Sequence, residues 1–147
     1  MTIEIQLATP GDIDILMPRV RALNDHEHIT VPTAQLHTSL THLLVHPELG
    51  LAFHITRVAT PIGYALTTFS YDLEFGGREA WLTEFWVDEA HRSSGIGRVA
   101  IDLLAAALRE RNVGAMHLQV RTENPAFRLY ERMGFVASPR TVMTKRL

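Results

Sequence analysis

The spacing of hydrophobic residues along the chain alternates between the two-residue period of strands and the 3.6-residue period of helices. Ile3, Ile5 and Leu7 alternate with polar residues, which predicts a first strand. The segment Thr9–Asp12 (Thr-Pro-Gly-Asp) is typical of a helix start, with Thr as the N-cap and Pro at the first helical position. Apolar residues at helical spacing then predict one helix after this start and a second over about residues 33–45.

The middle of the chain predicts three strands joined by short turns. Residues 51–58 and 62–71 have the composition of strands and are separated by a turn over residues 59–61. The Gly-Gly pair at 76–77 marks a second turn, and residues 79–87 follow as the third strand. We therefore expect an antiparallel meander.

The last third of the chain returns to helical spacing. Residues 96–108 carry a clear apolar stripe of period 3.6, which predicts a long helix. A short strand at 116–120 and a helix over 124–134, opened by Asn-Pro, come next. Closing strands are expected from Phe135 onward and over 141–145.

The predicted order is β-α-α-β-β-β-α-β-α-β-β, a mixed α/β (α+β) sheet with helices on its faces. The length of 147 residues fits a single domain over residues 1–147, and 46% hydrophobic with 20% charged residues is ordinary for a globular protein. The chain has no cysteine, which excludes disulfides, thiolate metal sites and a cysteine nucleophile.

The charge and hydropathy patterns exclude several kinds of partner. A net charge of −2 without a long basic run argues against nucleic acid as the main partner. No apolar run approaches the ~18 residues that would span a membrane. The N-terminal residues lack the layout of a signal peptide, so we expect a cytoplasmic protein.

The junction between the third meander strand and the long helix is the most informative segment. It reads His-Arg-Ser-Ser-Gly-Ile-Gly-Arg over residues 91–98. Backbone N–H groups at a helix N-terminus, left uncovered by Gly95 and Gly97, form a site for a phosphate or pyrophosphate. Arg92 and Arg98 flank the glycines and can both reach a bound anion.

This glycine loop has other interpretations. Residues 95–100 match G-x-G-x-x-A, a form of the dinucleotide-binding fingerprint. That fold needs several βαβ units and an acidic residue ~20 positions further on, and no acid occurs over residues 115–119. A plain two-glycine turn before a helix is the remaining alternative.

Two blocks of sequence resemble a known family. Residues 81–97, from Trp-Leu-Thr-Glu to Gly-Ile-Gly, resemble the acyl-CoA-binding signature of GCN5-related N-acetyltransferases (GNAT). Residues 129–135, Leu-Tyr-Glu-Arg-Met-Gly-Phe, are similar to that family's L-Y-E-x-x-G-F helix end. The resemblance covers roughly residues 79–135 and implies a GNAT-like acyl-CoA N-acyltransferase fold.

The resemblance also implies the ligand and its contacts. Acetyl-CoA, the acyl donor, would lie where strands 79–87 and 116–120 separate, with its pyrophosphate on the amides of about residues 92–97. The Val87 N–H would stabilise the oxyanion of the reaction. The residues implied in binding are Phe85, Trp86, Val87, Arg92, Ser93, Ser94, Gly95, Ile96, Gly97, Arg98 and Asn124.

Two side chains are implied in the chemistry, which is direct transfer of an acetyl group to a primary amine. Tyr130 would protonate the departing thiolate, and a core aromatic is the alternative explanation for it. Glu84 would accept the proton of the amine, and a solvated or paired strand carboxylate is its alternative.

The sequence departs from the family pattern in two places. Asn124 lies six rather than seven positions before Tyr130, so helix capping alone would explain it. Ser93 and Ser94 stand where many members carry glycine and a basic residue.

The acceptor is not identified by any motif. Acidic residues at 25, 27, 72, 74 and 79 are explained either by a cationic amine or by an ordinary solvated surface. His26 and His28 are expected in a loop between the first two helices, a region that borders the acceptor in the family; Glu27 or His28 would touch the substrate there, and a solvated loop is the alternative. No spacing predicts a metal site. A homodimer is frequent in such proteins, and a non-catalytic acyl-CoA-binding sensor on the same fold is the rival function.

Overall fold

A computed structural model describes residues 2–147 as a sheet with helices on both faces. The sheet has the order β1-β2-β3-β4-β5, in which the first four strands are antiparallel and β5 runs parallel to β4. The strands are β1 (Ile3–Leu7), β2 (Gly50–Arg57), β3 (Thr60–Asp72), β4 (Gly77–Val87) and β5 (Ala115–Leu118). The predicted mixed α/β fold is confirmed.

The α-helices within residues 2–147 are α1 (Ile13–His26), α2 (Thr33–Val45), α3 (Ile96–Arg109) and α4 (Ala126–Arg132). Helices α1 and α2 pack on one face of the sheet around Leu16, Leu40 and Tyr64. Helix α3 packs on the other face through Ile101 and Leu104, where α4 also contributes side chains. None of these helices is long and apolar enough to cross a bilayer.

The β2–β3 hairpin has a tighter turn than the sequence predicts. Thr60 and Pro61 already belong to β3, so the turn consists of Val58 and Ala59. Both residues are left-handed, with φ of 50° and 63°. A two-residue turn with both central φ positive matches the right-handed twist of the strands that it joins.

Strand β4 contains an irregularity that the sequence pattern does not show. The register with β3 pairs Thr67 with Leu82 but Leu66 with Glu84, so Thr83 is an extra residue on β4. Such a β-bulge redirects the side chains that follow it. The side-chain alternation of the first half of β4 is therefore not continued from Glu84 to Val87.

The predicted closing strands are wrong, because residues 135–147 contain neither helix nor strand. Val136 and Met143 are both 91% exposed, so the alternation that suggested strands buries no apolar face. Pro139 interrupts the segment and has no N–H to donate to a sheet. Among residues 2–147, the outer edge of β5 pairs with no further strand.

Candidate active site

The two parallel strands β4 and β5 stay together only over a short distance. Their pairing begins at Glu79–Ala115 and ends at Leu82–Leu118. Beyond Leu82, β4 continues for five residues without β5 beside it. A gap therefore opens along the edge of β4 between Thr83 and Val87.

Backbone groups of β4 face this gap in a defined pattern. The Asp88 N–H donates to the Ile62 carbonyl at 2.8 Å, so Ile62 and Asp88 form a hydrogen-bonded pair. In an antiparallel ladder such pairs alternate with pairs whose backbone groups point away. Phe85 and Val87 are consequently the residues whose N–H and C=O groups point to the gap.

The loop after β4 turns its backbone N–H groups toward the same place. Ser93 and Gly95 are both left-handed, with φ of 63° and 79°, and a turn that contains left-handed residues can form an anion-binding concavity with its N–H groups. The Val99 N–H is the first to bond within α3, to the Gly95 carbonyl at 3.2 Å. The N–H groups of residues 93–98 have no helical acceptor, whereas the Arg92 N–H already donates to the Glu89 carbonyl at 3.2 Å.

Gly95 and Gly97 differ in what requires them. The left-handed φ of Gly95 favours glycine, as expected from the sequence. A Cβ at Gly97 would meet the Phe85 ring at 3.6 Å, an ordinary contact, so the protein itself does not need glycine there.

The gap and the loop enclose one cavity of about 520 Å³. Arg92 forms part of the cavity wall. Its Nε donates to the Val87 carbonyl at 2.8 Å, and its guanidinium lies 4.4 Å from the centre of the Trp86 ring. The sequence-predicted residues that line the cavity are Phe85, Trp86, Val87, Arg92, Ser93, Gly95, Ile96, Gly97, Arg98 and Tyr130. The rest of the lining comes from α1, α3, α4 and His91.

Three sequence-predicted residues lie outside this lining. Ser94 donates its hydroxyl to the His91 carbonyl at 3.0 Å. Asn124 accepts from the Ala126 N–H at 2.9 Å, so its side chain caps α4, which is the alternative weighed for it. Glu84 lies on the opposite face of β4 from Phe85, because successive strand side chains alternate.

Tyr130 is brought to the cavity by α4. Its ring packs edge-on against Phe135, with ring centres 5.7 Å apart, and contacts the cluster under α3. Burial raises the pKa of the Tyr130 phenol above its usual value, so the hydroxyl stays protonated at neutral pH. The side chain is thus both a packed aromatic and an available proton donor.

Glu84 has a partner that sequence reasoning missed. The Tyr64 hydroxyl donates to Glu84 Oε1 at 2.7 Å, and Tyr64 is completely buried under α1 and α2. Burial raises the pKa of the Glu84 carboxyl above its ordinary value, while the hydrogen bond from Tyr64 opposes that rise. A tyrosine in an apolar strand gives no sequence signal of this contact.

An ion pair fixes α1 against the end of β4. Arg19 Nη2 lies 2.7 Å from Asp88 Oδ2 and also donates to the Pro61 carbonyl at 2.9 Å. Asp88 accepts a further hydrogen bond from Trp86 Nε1 at 3.1 Å. The network connects α1, β3 and β4 where the cavity begins, and nothing in the spacing of Arg19 and Asp88 indicates it.

The α1 side of the cavity carries Leu23, His26 and Glu27. His26 is the last residue of α1, so the loop expected for it is wrong. The His26 ring stands edge-on to Trp86 with centres 5.9 Å apart. His28 is exposed and does not line the cavity. Within residues 2–147 no three metal-ligating side chains come together.

A second, larger cavity of about 1130 Å³ follows the free edge of β5 and shares Tyr130 with the first. Its buried carboxylate, Glu79, lies 2.6 Å from His117 Nε2 and accepts from the Ser70 hydroxyl at 2.7 Å. These groups satisfy one another. Glu79, which the sequence analysis counted among the acidic residues of a cationic acceptor site or a solvated surface, is thus a buried carboxylate paired with His117 and Ser70.

The chain belongs to the acetyltransferase (GNAT) family, whose model matches residues 18–135. Members of this family use acetyl-CoA as the co-substrate of acyl transfer. No curated protein sequence matches the chain significantly.

Solved structures share the fold over nearly the whole chain. A possible acetyltransferase from Clostridium difficile 630 has a TM-score of 0.85 at 19% identity, covering 100% of this chain and 99% of the other. A ribosomal-protein-alanine N-acetyltransferase from Brucella melitensis has a TM-score of 0.76 at 20% identity, covering 99% and 100%. A predicted acetyltransferase from Clostridium acetobutylicum, solved with acetyl-CoA, has a TM-score of 0.77 at 20% identity, covering 98% and 96%.

Proposed function

We propose that the protein is an N-acetyltransferase that moves the acetyl group of acetyl-CoA to a primary amine in a ternary complex. The observation that supports this most is the convergence on one cavity of unpaired β4 amides, the N–H groups of the glycine loop and the Tyr130 hydroxyl. A thioester substrate of this kind requires amides that bind its diphosphate, a free strand edge that pairs with its pantetheine arm, and a proton donor for its thiolate.

The donor would be bound mainly by backbone groups. The N–H groups of residues 93–98 would hold the pyrophosphate, with the α3 dipole adding about 0.3–1 kcal/mol per anionic group. Arg98, which lines the cavity in the first turn of α3, would supply a positive charge. Phe85 would pair through its N–H and C=O with the amides of the pantetheine arm as an added strand does, and the Val87 N–H would be left for the thioester oxygen.

The proposed reaction begins with the acceptor amine. An amine of pKa ~10.4 is protonated at neutral pH, and freeing its lone pair at pH 7 costs about 4.6 kcal/mol. The ammonium proton passes to the Glu84 carboxylate, directly or through water. The raised pKa of Glu84, caused by burial, brings this base closer to neutral pH, where a general base is most effective.

The free amine then attacks the thioester carbonyl carbon. The new C–N bond forms, the carbonyl oxygen becomes an oxyanion, and the Val87 N–H lies on the gap side to receive it. When the C–S bond breaks, the Tyr130 hydroxyl gives its proton to the departing thiolate, and the nitrogen releases its second proton through water to the Tyr130 phenolate, while the first proton leaves Glu84 for solvent. The products are an acetylated amine and coenzyme A.

The amine would enter from the α1 side of the cavity. Trp86 lines the cavity, and its side chain lies on the same face of β4 as that of Glu84. An amine that enters past Leu23, His26 and Glu27 would therefore approach the proposed base. The carboxylate of Glu27 suits a cationic acceptor. The alternative function, a sensor that binds acyl-CoA without turnover, would need the same donor cavity but no base.

The test separates the enzyme from the sensor. Release of free thiol from acetyl-CoA would be followed with an alanine-starting peptide, Nα-acetyl-lysine, spermidine, kanamycin and free amino acids as acceptors. We expect turnover with at least one amine, and loss of most of it in Glu84→Gln with acetyl-CoA binding unchanged. Binding of acetyl-CoA by calorimetry with no turnover on any amine would favour the sensor.

A further inference from the structure

Glu84 accepts a hydrogen bond from a side chain that does not line the donor cavity. A glutamate side chain rotates about three bonds, so a half-buried carboxylate on a strand samples several orientations unless something fixes it. The Tyr64 hydroxyl lies 2.7 Å from Glu84 Oε1, whereas no hydrogen bond to Oε2 exists within residues 2–147. Oε1 of Glu84 therefore accepts a hydrogen bond, whereas Oε2 accepts none within residues 2–147.

Tyr64 itself cannot move easily. It is fully buried in the cluster under α1 and α2, where Leu16, Val20 and Leu40 surround it. In the β3–β4 ladder Tyr64 pairs with Trp86, so its ring lies diagonally across from Glu84 on the same face of the sheet. Packing thus fixes the position of the hydroxyl before any substrate binds.

We propose that Tyr64 is a positioning residue for proton transfer: its buried hydroxyl holds Oε1 of Glu84, so that Oε2 is the oxygen that receives the proton of the amine. This inference rests on the proposed function, in which Glu84 is the base. Tyr64 does not line the donor cavity and acts only through Glu84.

The charges around this pair support a constant donor role. Burial raises the pKa of the Tyr64 phenol, and the neighbouring Glu84 charge adds to the rise, so the hydroxyl remains a donor over the whole working pH range. Titratable groups near this face include His54, whose Nε2 lies 3.3 Å from Asp12 Oδ2, and the groups around Trp86. Those groups are His26, Arg19, Asp88 and Arg92. They are the same in wild type and in a Tyr64 variant, so a difference between the two proteins isolates the hydroxyl.

The first measurement needs no acceptor. Protein labelled with ¹³C at the glutamate side-chain carboxyls is titrated by NMR, and the Glu84 signal is the one that Glu84→Gln removes. A hydrogen bond favours the ionised carboxylate, so Tyr64→Phe should raise the pKa of Glu84 by roughly one to two units. Tyr71→Phe is the matched control on the same strand, because Tyr71 is 76% exposed, and it should leave Glu84 unchanged.

The second measurement links the contact to turnover. With the most active amine of the acceptor panel, the acid limb of kcat/KM for that amine should move to higher pH in Tyr64→Phe by about the same amount as the NMR titration. The KM for acetyl-CoA should not change. Glu84 titrating at the same pH with and without the Tyr64 hydroxyl would overturn the inference.

Two further outcomes keep the inference separate from the proposed function and from folding. If Glu84→Gln turns over at the wild-type rate, the base is wrong and the Tyr64 contact is only structural. If Glu84→Gln loses its rate while Tyr64→Phe changes neither the pKa of Glu84 nor the pH profile of turnover, only the role of Tyr64 is wrong.

Should Tyr64→Phe fail to fold, 3-fluorotyrosine at position 64 keeps the ring and has a more acidic hydroxyl. The pKa of Glu84 should then fall, and an unchanged value would contradict the role.

Discussion

The two edges of strand β4 are built differently. The edge toward β3 is paired from Gly77 to Val87, interrupted only by the bulge at Thr83. The edge toward β5 is paired from Glu79 to Leu82 and is then open. The closed edge gives rigidity, and the open edge leaves backbone groups unsatisfied, which is costly unless water or a ligand supplies partners. One strand therefore serves both as scaffold and as binding surface.

The largest expected effect comes from the open side. Tyr130→Phe removes the hydroxyl beside the open edge and keeps the packing against Phe135. We expect kcat to fall by about 10²–10⁴, the usual contribution of a general acid, with acetyl-CoA binding retained. Steady-state kinetics and calorimetry measure the two quantities. A Tyr130→Phe enzyme at full rate would remove Tyr130 from the chemistry.

Two glycines with the same backbone conformation give a matched comparison. Gly95 and Gly76 both have φ of 79° and open space where a Cβ would lie, but only Gly95 belongs to the loop beside the cavity. Gly95→Ala and Gly76→Ala should each cost about 1 kcal/mol of stability. Only Gly95→Ala should weaken acetyl-CoA binding, by about tenfold or more, because the loop N–H groups lose their alignment. Equal affinities for both variants would separate the loop from donor binding.

Arg19 tests the closed side. Arg19→Met removes the ion pair with Asp88 that ties α1 to β4, and we expect a loss of about 1–3 kcal/mol in the free energy of unfolding. Arg140→Met removes the Arg140–Glu74 pair, whose side chains are 78% and 49% exposed, and should have no measurable effect. Urea unfolding of both variants decides whether the α1 anchor matters more than a surface pair.

The smallest expected effect is a pH dependence of stability. The hydrogen bond from the Thr9 N–H, followed by weaker interactions that include one with His54, lowers the pKa of Asp12 below its ordinary 3.8. A depressed pKa in the folded state means that this stabilisation is present above about pH 4 and is lost as the pH falls through the folded value. The stability difference between wild type and Asp12→Asn should therefore shrink below pH 4. A difference that stays constant from pH 6 to pH 3 would contradict this assignment.

The sequence predicts the closed side of β4 well and the open side only in part. The stripe over residues 96–108 and the turns of the meander predict α3, β2, β3 and β4 because their burial is periodic. The glycine loop is predicted because left-handed backbone at Gly95 needs glycine. Ser93, which is also left-handed, carries no such signal.

The rest depends on contacts between distant segments. The bulge at Thr83 and the Tyr64–Glu84 hydrogen bond arise from the register of β3 against β4, which local patterns do not encode. The same limit explains the wrong closing strands. Alternating residues form a strand only where a sheet edge and an apolar surface receive them, and residues 135–147 stay exposed.

The bond from Arg92 to the Val87 carbonyl gives the open edge a chemical direction. Phe85 offers both a donor and an acceptor, whereas Val87 keeps only its N–H for an incoming molecule. An extended ligand must therefore present an oxygen at residue 87 and can place an amide at residue 85. The Arg92 guanidinium thereby determines the direction in which an extended ligand can bind along β4.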